Sequence, residues 1–141
     1  MYKKTKEGII IGRIGYGEDL LTALLQVAKK ENITLAKVEA IGALQRATIF
    51  YYHQDIKKYE SVRFHEPMEI ISLLGNISIK DGEPMVHAHV SLGNSKGELF
   101  GGHLASESIV FACEFMIFPL SGVSLERRLD DKTGLFLWDI K

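Results

Sequence analysis

Apolar positions along this chain recur with two different periods. The run EGIIIGRI, Glu7 to Ile14, is apolar at neighbouring positions and reads as a buried strand. From Gly17 to Ile33 the period lengthens: Leu20, Leu21, Leu24, Leu25 and Ala28 share one helical stripe, with Thr22, Gln26, Lys29 and Lys30 off it. Glu18 and Asp19 fall in the first turn of that helix, and Lys29 and Lys30 in the last, which suits the helix dipole; Asn32 closes it. The pattern predicts a helix of about sixteen residues.

Beyond Asn32 the pattern is that of strands almost to the end. TLAKVEAIGAL and RATIFYYH are rich in β-branched and aromatic residues. MEIISLLGNISI runs into KDGEP, whose Asp81-Gly82 pair signals a hairpin, and MVHAHVSL follows. A turn over Gly93–Gly97 leads to ELFGGHL and then to SIVFACEFMIF, which Pro119 stops. SGVSLERRLD and GLFLWDI are weaker end strands. Ile70–Leu74 and Ile109–Phe118 are apolar at nearly every position, so they require cover on both faces. One short helix cannot cover a whole sheet, so the sheet must curl on itself or be covered by other subunits. The expected fold is α+β: a strongly bent, mainly antiparallel sheet with one main helix near the N-terminus, in a single oligomeric domain over residues 1–141.

Composition narrows the function classes. Seventeen basic and eighteen acidic side chains leave a net charge of −1, which gives no bulk attraction to nucleic acid or to an anionic membrane. The single cysteine excludes an internal disulfide, and Cys113, inside IVFACEFMIF, reads as a buried, inert thiol. MYKKTKEG is followed by only a short isoleucine run before Gly12 and Arg13, too short for a signal peptide or a membrane span. A cytoplasmic protein is expected.

The candidate chemistry lies in HAHVSLGNSKGELFGGHL, His87 to Leu104. On a strand, His87 and His89 point to one face while Val86, Ala88 and Val90 point to the other. Such a pair offers a metal two nitrogens, and His103 offers a third if the hairpin returns it. The register expected from a Gly93–Gly97 turn carries His103 past His87, a few residues beyond direct opposition, and a bulge at Gly101-Gly102 would shift it. Three imidazoles with water or a carboxylate suit zinc or a similar divalent ion. The competing reading is a polar surface pair, with His103 bonded to a backbone carbonyl. His53 and His65 lie beside charged turn-like segments and read as solvated.

Glu114 sits within FACEFMIF, where an unpaired carboxylate is costly. It could be a fourth ligand, an acceptor for a ligand histidine, a catalytic base, or the partner of Arg13 or Arg46 in a salt bridge. Glu69 is a similar carboxylate at the edge of an apolar run. The glycines of GRIGYGEDL are spaced wrongly for a dinucleotide loop, and Glu18 and Asp19 would repel a pyrophosphate. Ser106 and Ser108 follow His103 without a carboxylate spaced for a triad. The basic groups KKTK, Lys57-Lys58 and Arg127-Arg128 are scattered and read as solvated faces. The apolar tail LFLWDIK is expected to dock on the core or on a neighbour.

The string EPMEIISLLGNISIKDGEPMVHAHVSLGNSKGELFGGHL resembles the plants-and-prokaryotes-conserved (PPC) domain in its single-domain prokaryotic form, often described as a PD1-like DNA-binding protein. GRIGYGEDLLTALLQVAKKENI is similar to the family's first strand and helix, AKVEAIGALQRATIFYY to its next hairpin, and ACEF to its glutamate-bearing strand. The resemblance implies an antiparallel α+β fold, a homotrimer, and a cluster of His87, His89 and His103 near a subunit boundary, where some members hold a metal. In plant relatives AT-hook segments enter DNA while the domain assembles subunits and contacts other proteins. No such hook is present in this chain, since KKTK lacks the hook's glycine and proline. The expected function is therefore a homotrimeric, DNA-associated regulatory or assembly module. His87, His89 and His103 would hold a divalent metal such as zinc, supported by Glu114. The alternative is a small metal-dependent hydrolase or lyase using the same site.

Overall fold

The computed structural model describes residues 1–140. The chain opens with β1 (Tyr2–Lys4) and β2 (Ile10–Ile14), continues into α1 (Leu20–Lys30), and then runs through β3 (Ala36–His53), β4 (Lys58–Phe64), β5 (Met68–Lys80), β6 (Glu83–Gly93), β7 (Leu99–Leu104), β8 (Ile109–Pro119), β9 (Arg127–Asp130) and β10 (Leu135–Trp138). The main sheet has the order β1-β2-β8-β3-β5-β6-β7, with β4 added on β3, and its ladders are antiparallel. The α+β expectation, with one helix near the N-terminus and a bent sheet, is met.

The bend is made by β3. TLAKVEAIGAL and RATIFYYH are not two strands or a hairpin, as the sequence suggested, but one strand of 18 residues. Between them stands only Gln45, not a turn motif, so nothing reverses the chain. Instead the register against β5 slips between Ala40 and Gly42, and against β8 around Leu44. Gly42 has φ of +149°, and a Cβ there would collide with the carbonyl oxygen of Ala112 and lie 2.7 Å from the Cα of Cys113. The first half of β3 thus pairs with β5 and β8, and the second with β4 and β7. Because Ile49 and Phe50 pair with Leu104 and His103, strands β3, β5, β6 and β7 close into a ring. The sheet does curl on itself.

The helix is shorter than its sequence pattern, at 11 residues. Asp19 is not in the first turn but caps it, accepting from the backbone N–H of Thr22 at 2.8 Å. Glu18 is held by the N–H of Gly15, and Asn32, with φ of +53°, ends the run. Leu20, Leu24 and Ala28 are fully buried against the sheet, joined there by Val38, Leu44, Ile77, Leu92 and Ile117. Truncating one such leucine to alanine costs about 2–5 kcal/mol. Cys113 is buried and unpaired, and its burial, with the neighbouring Glu114 charge, pushes the thiol up to about 12, so it is inert as expected.

Strands β1 and β4 were not anticipated. Neither carries a buried residue, so neither has an alternating apolar signal. The end strands β9 and β10 form a hairpin of their own. It docks through the Tyr52 hydroxyl, which donates to the Thr133 carbonyl at 2.7 Å, and through the Trp138 indole N–H, which donates to the Ser78 hydroxyl at 3.1 Å. Among the described residues no helix is long and apolar enough to cross a membrane.

Candidate metal centre

Alternation along β6 sends Val86, Ala88 and Val90 into the core and His87 and His89 to the opposite face. The return strand brings His103 directly opposite His89, not past His87. The β6–β7 ladder is regular, so no bulge is needed at Gly101-Gly102. The register follows from the loop: Gly93 pairs with Leu99, and Asn94 pins the five residues between, its side-chain oxygen accepting from the N–H groups of Lys96 and Glu98 at 3.0 Å each. Gly102 serves a different end. A Cβ on it would lie 2.8 Å from the Phe50 carbonyl oxygen, so its bareness lets β7 close on β3 beside His103.

The three rings form a near-even triangle. Centroid separations are 5.3 Å for His87 and His89, 5.0 Å for His87 and His103, and 5.6 Å for His89 and His103. One nitrogen from each ring lies within 4.8 Å of the other two, and the cluster contains no carboxylate or thiolate. Phe50 stacks parallel to His103 at 6.3 Å, and Tyr59 flanks it at 5.6 Å. His87 and His103 are partly buried and His89 is exposed.

Burial, with His103, Arg127 and His89 close by, lowers the His87 pKa to about 4. His103 is lowered as well, first by burial and then by His89 and Arg127. Both rings are therefore neutral at physiological pH, the form that ligates a metal.

Arg127 is the residue that sequence reasoning misplaced. It is not on a solvated face but 5% exposed, delivered by β9 to the flank of His87. Its guanidinium donates to the Ser78 hydroxyl at 2.8 Å, the Phe136 carbonyl at 3.0 Å and the Asn76 side-chain oxygen at 2.6 Å, and lies 3.5 Å from Nδ1 of His87. Only the apolar character of the tail hinted at this, by predicting that the segment docks.

The other candidates lie elsewhere. Glu114 is exposed on β8, opposite Arg13 of β2 and Ile41 of β3. Strands β3 and β5 separate it from the histidine strand, on the order of 14 Å at ordinary strand spacing. The expected support of the histidines by Glu114 is thus corrected: its exposure, not a partner in the cluster, relieves its charge. Neither the Arg13 nor the Arg46 salt bridge is among the ion pairs of the described residues. His53 pairs with Glu60 at 2.7 Å, and His65 and Glu69 are exposed. Ser108 is fully buried, its hydroxyl donating to backbone carbonyls of Thr48 or Ala105, which is a structural role.

Comparison with known proteins agrees with this architecture. The metal-containing protein AF0104 from Archaeoglobus fulgidus is 44% identical, with 98% of this chain and 96% of that chain covered and a TM-score of 0.89. A plant- and prokaryote-conserved protein from Pyrococcus horikoshii is 41% identical over 100% of this chain and 96% of that one, with a TM-score of 0.89. A protein from Bacteroides thetaiotaomicron described as a "putative DNA binding protein" is 29% identical over 99% and 96%, with a TM-score of 0.92. Among curated proteins, the bifunctional protein GlmU of Synechococcus sp. strain JA-3-3Ab is 28% identical over 120 residues, 84% of this chain; the chain spans only 18% of that protein's length. The family model of the Plants and Prokaryotes Conserved (PCC) domain matches residues 1–121. With that match covering the sheet, the helix and all three clustered histidines, the chain belongs to the Plants and Prokaryotes Conserved domain family.

Proposed function

We propose that this protein is a cytoplasmic, homotrimeric, DNA-associated assembly module in which His87, His89 and His103 hold a divalent ion of the zinc class. The observation that carries the metal reading is the convergence of three imidazole nitrogens on one face. Nitrogens around a tetrahedral zinc stand roughly 3.3 Å apart, given Zn–N bonds of about 2.0–2.1 Å. The present separations, within 4.8 Å, have to close towards that value when an ion is held. Such an ion supplies a Lewis-acidic centre with a coordination position left open by its protein ligands. The chain's own contribution is placement: the β6–β7 ladder sets His89 against His103, Phe50 and Tyr59 shield His103, and Asn76 pairs with His87 across β5 and β6. The metal-containing character of the Archaeoglobus relative supports this reading.

Self-association is supported by the outer face of the sheet. Ile41 and Leu74 are 58% and 57% exposed, and with Ile11, Met116, Arg13 and Glu114 they line a groove of about 760 Å³. An apolar surface of this kind, carrying charges of both signs, suits a second copy of the chain. A count of three subunits is what the family resemblance implies. DNA association rests on the description of the Bacteroides relative. With a net charge of −1 the chain has no bulk attraction to DNA, so any DNA contact requires a local basic surface. Within one subunit the hydrolase or lyase alternative lacks its expected base, because Glu114 is remote from that subunit's histidines.

Elemental analysis of protein purified without chelator tests the metal reading. Stoichiometric zinc, lost in the His87, His89 and His103 triple alanine variant, is expected. Absence of metal, with stability unchanged in that variant, overturns it. A gel-shift series in rising salt tests DNA association, and no binding at ~100 mM salt removes it.

A further inference from the structure

The C-terminal hairpin handles its charges in an unusual order. Glu126 and Asp139 flank it, and both engage the exposed Arg128, at 3.8 Å and 3.1 Å. Arg127, the buried neighbour, receives no carboxylate among the described residues. Its acceptors are a hydroxyl, a carbonyl and an amide oxygen, all neutral. A buried guanidinium without a counter-ion is costly, and fixed anions nearby are the usual relief. Here the anions are turned away, and the guanidinium faces the histidine cluster.

The contact with His87 sharpens the point. A guanidinium N–H sits 3.5 Å from Nδ1 of that ring. If a metal is held through the other ring nitrogen, Nδ1 carries a proton and cannot accept. If the metal is held through Nδ1, its lone pair is already used. In either tautomer, metal binding leaves this N–H without an acceptor. It also adds two positive charges to a pocket whose ligands are all neutral imidazoles. The pocket then contains a dication, a guanidinium and, among the described residues, no anion paired with either.

We propose that Arg127 and the three-histidine centre together form a binding site for a small oxyanion, carboxylate or phosphate in type, taken from solution. The proposal rests on the metal reading above and adds the ligand class. The guanidinium fork matches the paired oxygens of such anions, whereas chloride offers only a point charge. Phe50 and Tyr59 flank the cluster and offer an apolar wall for a short organic carboxylate. Arg127 lies beyond the residues matched by the family model, so the C-terminal hairpin is what equips this chain with the site.

The test uses the full-length protein loaded with Co²⁺, whose visible absorption reports the ligand environment. Acetate, inorganic phosphate and chloride are titrated separately at constant ionic strength. Saturable spectral changes with acetate or phosphate but not with chloride are expected, and whichever oxyanion saturates first names the better class. Arg127→Met should still bind Co²⁺ but hold the oxyanion about tenfold more weakly or worse. Arg127→Lys, which keeps the charge and loses the fork, should fall between. Fluorescence of the single tryptophan, Trp138, reports whether the hairpin stays docked in each variant. If Arg127→Met undocks it, the lysine variant carries the comparison. Equal oxyanion affinity in wild type and a docked variant overturns the proposal. So does a Co²⁺ spectrum that no oxyanion changes, as when a carboxylate of a second copy already fills the place. Failure to bind Co²⁺ at all removes the metal reading itself and this inference with it.

Discussion

His89 and His103 are direct cross-strand partners on β6 and β7, with ring centroids 5.6 Å apart. Residues paired in this way share a face, and His87 joins them because it lies two positions from His89. Each ring should therefore be necessary for metal retention. His87→Ala, His89→Ala and His103→Ala are each expected to lose stoichiometric metal on dialysis. His53→Ala and His65→Ala should retain it, because those rings lie outside the cluster. Elemental analysis of the five variants provides the check, and full retention in His103→Ala would contradict the shared-centre geometry.

The closure of β7 on β3 predicts a second sensitive position. A Cβ at Gly102 would lie 2.8 Å from the Phe50 carbonyl and 3.2 Å from the Ile49 side chain. A backbone oxygen cannot swing away, so the strands must part. Gly102→Ala should cost about 1–3 kcal/mol, the usual range for overpacking. It should also weaken metal binding, because His103 is the next residue and pairs with Phe50. Urea unfolding gives the first quantity and a metal-indicator competition the second. An unchanged urea midpoint would show that the ring of strands is not closed tightly at this point.

How much of this was legible in advance depended on whether a residue's role was written locally. The period of α1, the Asp81-Gly82 hairpin and the alternation at His87 and His89 are local patterns, and each reappears in the structure. The extent of β3 was not legible, because its bend needs bulges and Gly42 rather than a turn motif. The register of His103 was misjudged because it depends on the side-chain hydrogen bonds of Asn94, which fix how many residues the loop takes. Glu114 looked anomalous within an apolar string, yet it alternates outward between buried Cys113 and Phe115. Arg127 was invisible for the opposite reason: its burial is created by a hairpin docking 49 residues away in sequence, at Ser78.

Acid should weaken the metal-free protein through the same cluster. The His87 pKa is about 4 in the fold, held down by burial and then by His103, Arg127 and His89, against 6.5 for the ordinary ring. Below pH 6.5 the unfolded chain takes up a proton that the folded ring refuses until about 4, so stability falls across that window and is fully present above it. The loss attributable to this ring is on the order of 2 kcal/mol, after allowance for partial solvent screening. His87→Gln keeps an acceptor for Arg127 and does not titrate. It should therefore lose less stability than wild type between pH ~7 and ~4.5, and that difference, read from urea unfolding without metal, isolates the histidine from general acid effects. Parallel curves for the two proteins would show that the ring is solvated in the fold.

The outer face offers the sharpest test of assembly. Ile41 on β3 and Leu74 on β5 lie on the side of the sheet away from α1, more than half exposed, and both line the groove that ends at Arg13 and Glu114. Leaving both in water forgoes their burial, worth about 1.5–3 kcal/mol for each side chain. A neighbouring subunit would recover that burial without altering the core, because neither residue contributes to it. Ile41→Glu and Leu74→Glu should thus leave the thermal stability of the isolated subunit nearly unchanged, within about 0.5 kcal/mol. In sedimentation equilibrium the wild type should run as a trimer and each variant should shift towards monomer. The double variant should be monomeric at micromolar concentration. Glu114→Ala should shift the equilibrium less, since a rim charge contributes little to an interface unless it is fully desolvated. Trimers that survive the double variant would move the subunit contact away from this face, and a monomeric wild type would leave Ile41 and Leu74 to some other partner.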